Sequence, residues 1–136
     1  MIVDANLAVY WFVETPLTKS ASVLLERSDL VAPGVIEIEV VHSLAKYVRG
    51  GLITAVQLRN AMIEVRNAIS QFVADRQLLD AAMEIALAHT HPVYDCLYLA
   101  LALDRREPLA TADRRLARLA QSLGIETTLI EPTATT

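Results

Sequence analysis

The chain has a single cysteine, Cys96, so no disulfide can form within it, and that usage fits a reducing cytoplasm. Aromatics are scarce, with two Phe, four Tyr and one Trp, which leaves no platform for stacking bases legible in the sequence. No apolar run approaches the ~20 residues of a membrane-spanning helix, so no membrane segment is expected. Residues 1–3 run straight into Asp4, without a basic stretch and an apolar core behind it, and no signal peptide is expected. Basic excess is also lacking: Lys+Arg number 12 against Asp+Glu 16, a formal net charge of −4. That balance weighs against non-specific nucleic-acid binding, and an RNA or DNA role then needs a local basic patch or an intervening cation. Repeats and low-complexity blocks are absent, and only EPTATT, residues 131–136, reads as a flexible tail.

What is present is aliphatic. Hydrophobic residues make up 54% of 136 residues, mostly Ala, Leu, Val and Ile, enough for one domain with a substantial core. Ile2–Asp4 reads as a first strand. Asn6 is then placed to cap a short helix through Phe12, with a second helical piece over Leu17–Arg27. Leu30–Ala32 reads as a strand. From Val35 the pattern turns helical, with Ile38, Val41, Ala45 and Val48 at spacings of three and four until Gly50-Gly51. An amphipathic segment follows over Thr54–Ser70. Beyond it come a strand at Phe72–Ala74 and a helix at Leu78–Ala88, with a break at HTHP (89–92). A helix over Tyr94–Leu103, a strand at Leu109–Thr111, a helix over Arg114–Leu123 and a strand at Thr127–Ile130 complete the series. Short strands alternating with longer helices predict an α/β domain whose parallel sheet is covered on both faces.

Acids fall where function collects in such sheets, outside the carboxyl ends of the strands. Asp4 ends the first strand, Asp113 lies just past the strand Leu109–Thr111, and Asp95 stands near the start of a helix. For Asp95 and Asp113 a capping or first-turn role is the alternative. Asp4 needs a partner, because a carboxylate at the end of a buried strand is costly to desolvate alone. At ~100° per residue Glu39 shares a helix face with His42, Ser43 and Lys46, while Glu37 falls nearer the apolar side. Gathered carboxylates raise one another's pKa unless a cation neutralises them. Without a Cys pair or a His-spaced motif, such oxygen ligands favour magnesium or manganese over zinc. His89 and His91 read as loop or cap residues, and Cys96 as a small apolar packing residue.

Four segments, in order, carry a family likeness: IVDAN with Asp4 and Asn6, APGVIEIEVVHSL with Glu39 six residues after Pro33, YDCLYLALAL with Asp95, and LATADRRLARLA with Thr111 and Asp113. The chain resembles the PIN-domain nucleases from Ile2 to Ile130, and among them the VapC-type toxins of toxin–antitoxin pairs. One departure is His42, where that subgroup usually carries Asn. The resemblance implies a helix-rich, three-layer α/β/α fold with a short central parallel sheet of four or five strands over residues 1–130. It further implies a Mg2+- or Mn2+-dependent endoribonuclease whose site is Asp4, Glu39, Asp95 and Asp113. Asp4, Asp95 and Asp113 would be metal ligands, and Asn6 and Thr111 would orient carboxylates or water. A divalent cation there activates water and stabilises charge on the phosphate, giving 5′-phosphate and 3′-hydroxyl ends. Arg114, Arg115, Lys46 and Arg49 are candidates to grip the RNA backbone. A homodimer and a small cognate antitoxin are the implied protein partners, for which the segment Thr54–Ser70 is one candidate surface. The alternatives are a PIN-like module that binds RNA or protein without catalysis, and an aspartate-based phosphohydrolase. The latter usually has a second Asp where this chain has Asn6.

Overall fold

A computed structural model describes residues 1–133. Its sheet has five strands, β1 (Ile2–Val3), β2 (Val31–Pro33), β3 (Gln71–Val73), β4 (Leu109–Thr111) and β5 (Thr127–Leu129). All neighbours pair in parallel, in the order β3-β2-β1-β4-β5. Seven helices connect and cover them: α1 (Ala5–Tyr10), α2 (Thr18–Ser22), α3 (Val35–Arg49), α4 (Ala55–Ala68), α5 (Asp75–His89), α6 (Val93–Arg105) and α7 (Arg114–Ser122). The helix-rich α/β/α architecture is the expected one. No helix among the described residues is long and apolar enough to cross a membrane. Part of the expected tail, 134–136, lies outside the described residues; within 131–133, Glu131 meets Arg114 and Thr133 meets Ser20.

The inner strands are apolar on both faces because both are covered. Ile2, Val3, Ala32, Leu109 and Ala110 are buried, and α6 packs directly on β1, β2 and β4. Leu97, Tyr98, Leu99 and Leu101 of α6 are all buried. α5 packs along α6.

Three local expectations change. The first helix starts at Ala5, so Asn6 lies in its first turn and Asp4 holds the N-cap position without a side-chain cap bond. The Asp4 carboxylate is engaged elsewhere, as described below. The piece Leu17–Arg27 divides into α2 and a 3-10 turn at Val23–Glu26. On α3 the buried stripe is Ile36, Val40 and Leu44; Ile38 is 70% exposed and Val41 40%. The helix carries two apolar stripes, and the packing of α3 against α1 and α4 takes the one that periodicity did not single out.

α4 begins with a capping box. Thr54 Oγ1 accepts from the Gln57 N–H at 3.1 Å, and Gln57 Oε1 accepts from the Thr54 N–H at 2.8 Å. Its stripe Ala61, Met62, Val65 and Ile69 is buried within the domain, so these residues are not a free docking surface. Thr54→Ala is expected to lower stability by about 1 kcal/mol, read as a shift in the urea midpoint at constant slope.

Candidate active site

The strand order fixes where a site can form. The chain adds strands to one side of β1 through β2 and β3, then returns to add β4 and β5 on the other. The crevice at such a reversal, between the carboxyl ends of β1 and β4, is where open α/β sheets bind ligands. Asp4 follows β1 and Thr111 ends β4. The Thr111 hydroxyl donates to Asp4 Oδ2 at 2.7 Å, across 107 residues of sequence, and both side chains are buried.

Burial first, and then the charges of Asp95 and Glu39, raise the Asp4 pKa from 3.8 to about 7 against the lowering effect of Thr111. Asp95 and Glu39 therefore belong to the same electrostatic cluster as Asp4. Glu39 is raised too, by burial and then by Asp95 and Asp75, while a hydrogen bond from Tyr98 opposes the rise. Tyr98 is buried on α6, and its hydroxyl donates to Glu39 Oε1 at 2.8 Å. Glu37, two residues earlier, lies on another side of α3 and pairs with Arg66 at 3.0 Å.

Asp95 stands in the first turn of α6, where the exposed amides favour an acid. Its Oδ2 lies 2.8 Å from His91 Nε2. His91 is buried, and it reaches Asp95 because α5 ends at Thr90 in the left-handed conformation (φ 50°), which turns the chain sharply before Pro92. The sequence reading of His91 as a loop or cap residue missed this contact. The spacing of four in HPVYD was its signal, obscured by the proline between the two residues. His89 is the exposed last residue of α5.

Asp113 is attached less directly. Its Oδ1 accepts from the N–H groups of Arg115 and Leu116 at 2.9 and 3.2 Å, so the capping role is realised. Its own N–H donates to Thr111 Oγ1 at 3.0 Å, which ties it to Asp4 through one hydroxyl. Thr111→Val keeps the side-chain shape but removes both bonds. It is expected to cost about 1–3 kcal/mol in chemical denaturation and to raise the Asp4 pKa further.

Asn6 Oδ1 is buried with no hydrogen-bond partner among the described residues, an orphan acceptor two residues from Asp4. Of the candidate RNA-gripping cations, Arg114 pairs with Glu131 at 3.2 Å, Arg115 and Arg49 are exposed, and Lys46 lines a cleft beside α1. Two further residues escaped the sequence reading. Tyr98 holds Glu39, and Asp75 caps α3 from 40 residues away by accepting from the Val35 N–H at 3.0 Å. Cys96 is buried, and burial with the neighbouring Asp95 charge pushes its thiol up to about 11, which leaves it unreactive.

Among the described residues, no group of three or more His, Cys, Asp or Glu side chains is already arranged to hold a metal ion. The donor chemistry nevertheless fits a hard divalent cation. Asp4, Glu39 and Asp95 are oxygen donors, each with one oxygen held by Thr111, Tyr98 or His91, and their mutual repulsion is what a cation relieves.

The PIN domain family model matches residues 1–122, which contain all four candidate acids. No curated protein matches the chain. PIN domains are generally nucleases and usually use divalent metals. The chain belongs to the PIN domain family.

Proposed function

We propose that this protein is a Mg2+- or Mn2+-dependent endoribonuclease and the toxin of a toxin–antitoxin pair. The observation that carries the catalytic reading is Asp4, a buried carboxylate held near pKa 7 beside Asp95 and Glu39 at the β1–β4 crevice. Such a cluster is unfavourable by itself and becomes favourable around a cation.

Asp4 and Asp95 are the first ligands in this reading, with Asp113 contributing through the oxygen its cap leaves free. The cation supplies Lewis acidity and charge neutralisation at the scissile phosphate. The chain's own groups do the positioning. Thr111 fixes Asp4 Oδ2, His91 fixes Asp95 Oδ2, and Tyr98 fixes Glu39 Oε1, which leaves one oxygen of each carboxylate free of these bonds. Glu39 Oε2 takes the proton of the attacking water, a role its raised pKa suits. Water as nucleophile leaves the RNA 2′-hydroxyl idle, so the products carry 5′-phosphate and 3′-hydroxyl ends.

The test is an RNA bearing a 2′-O-methyl group at the mapped cleavage position. Continued cutting, with ends that a ligase accepts as 5′-phosphates, supports the reading. Loss of cutting, or a 2′,3′-cyclic phosphate, contradicts it.

The partners follow from the same surface. An antitoxin segment with a basic side chain suits the acidic crevice. The exposed α3 stripe, with Ile38 and Val41, supports a protein neighbour, either the antitoxin or a second copy in a homodimer.

A further inference from the structure

Next to the acids lies a cleft of about 420 Å³, within the range of small-ligand sites, lined by Asn6, Tyr10, Ser43, Lys46, Tyr47 and Leu52. It is built by α1 and α3, which pack on each other, and by the turn after Gly51. Asn6 and Tyr10 stand one helical turn apart on α1, and Ser43, Lys46 and Tyr47 lie along the facing side of α3. We propose that this cleft is a nucleotide subsite, which takes one base of the RNA strand against the rings of Tyr10 and Tyr47 and its phosphate against Lys46. The inference rests on the nuclease reading and extends it by naming where the strand lies beyond the scissile bond.

Four observations carry it. The cleft neighbours one of the acids, since Ser43 also lines a second cleft that contains Glu39. Tyr10 and Tyr47 line the same cleft as Asn6, which stands two residues from Asp4. Asn6, whose Oδ1 has no hydrogen-bond partner among the described residues, contributes polar surface to the cleft. Lys46 is exposed at the rim and has no ion-pair partner among the described residues, so a phosphate finds a free cation there. Two tyrosines of a sparse aromatic set, 37 residues apart in sequence, thus meet in one cleft that composition alone did not reveal.

The experiment measures binding of a fluorescein-labelled random-sequence 20-mer RNA to the Asp95→Asn chain in Mg2+, by fluorescence anisotropy. Cleavage of the same RNA by the unmodified chain is followed in parallel. In the Asp95→Asn background, Tyr10→Ala and Tyr47→Ala are each expected to weaken binding about 10-fold or more, while Tyr10→Phe and Tyr47→Phe stay near the parent. Lys46→Glu, at an exposed position that tolerates change, is expected to weaken binding and to reduce the salt slope by about one charge. That variant keeps the proposal testable if an alanine variant fails to fold. Unchanged affinity in Tyr47→Ala and Lys46→Glu, while the unmodified chain cuts RNA, overturns the subsite and leaves the nuclease standing. Unchanged RNA affinity together with loss of a co-purifying protein assigns the cleft to that protein and also overturns the proposal. Absence of both binding and cutting removes the subsite together with the nuclease reading.

Discussion

Asp4→Asn is expected to abolish RNA cleavage and, at pH 8, to raise the melting temperature of the metal-free protein by several degrees. The two halves of this result come from one cause. The carboxylate is buried beside Asp95 and Glu39, and its pKa of about 7 records how unfavourable its charge is there. Asparagine keeps the acceptor that Thr111 needs, at the position where Oδ2 now lies 2.7 Å from the hydroxyl. Its amide nitrogen replaces a repelled oxygen with a donor facing acids. Loss of a metal-binding carboxylate, by contrast, removes the charge that holds the cation, and a rate loss of about 10³-fold or more is expected. Thermal melts in EDTA together with a cleavage assay check both halves. A fall of several degrees would make Asp4 a structural acid and would move the site elsewhere.

The second large effect is the pH dependence of the metal-free chain. The folded-state pKa of Asp4 is raised, so the folded protein binds this proton more tightly than the unfolded one. The stabilisation is complete below the ordinary carboxylate pKa of 3.8 and is lost as pH climbs through about 7. Between pH 5 and pH 8 the loss is roughly 3 kcal/mol, on the order of 10 °C in melting temperature for a domain of this size. Glu39, raised in the same direction, adds to the trend. Mn2+ or Mg2+ is expected to restore stability at pH 8 far more than at pH 5, because the cation competes with protons for the same oxygens. Asp4→Asn should flatten the profile and weaken the metal effect. Melting temperatures in EDTA and in saturating Mn2+, at both pH values, make the comparison. A flat profile in the unmodified chain would contradict the electrostatic cluster.

How much was legible in advance varied with the range of the interaction. Elements set by local pattern read well, since the apolar run before Asp4, the Pro33-led α3, the Thr54 cap and the α7 start at Asp113 all carry their signals within a few residues. The α3 stripe read wrongly because two apolar faces share that helix, and only the packed fold chooses between Ile36-Val40-Leu44 and Ile38-Val41. Strand order, and hence the crevice between β1 and β4, follows from pairing over 107 residues and leaves no local trace. The acids themselves were legible as residues, whereas their supporting partners were not. Tyr98 meets Glu39 only when α6 lies beside α3, and Asp75 reaches the α3 amide only once β2 and β3 pair. Asp113 shows the opposite case, where the modest alternative of a helix cap proves to be realised by one of its two oxygens.

If Asp4 and Asp95, with Asp113, hold the proposed divalent cation and Glu39 serves as base beside it, RNA cutting depends on the metal and on the acids together. The most direct measurement incubates the purified chain with a pool of structured RNAs in Mg2+, in Mn2+ and in EDTA, with Asp95→Asn alongside. Cuts are expected in both metals, none in EDTA and none by the variant. Cutting that persists in EDTA, or that Asp95→Asn retains in full, would contradict this dependence.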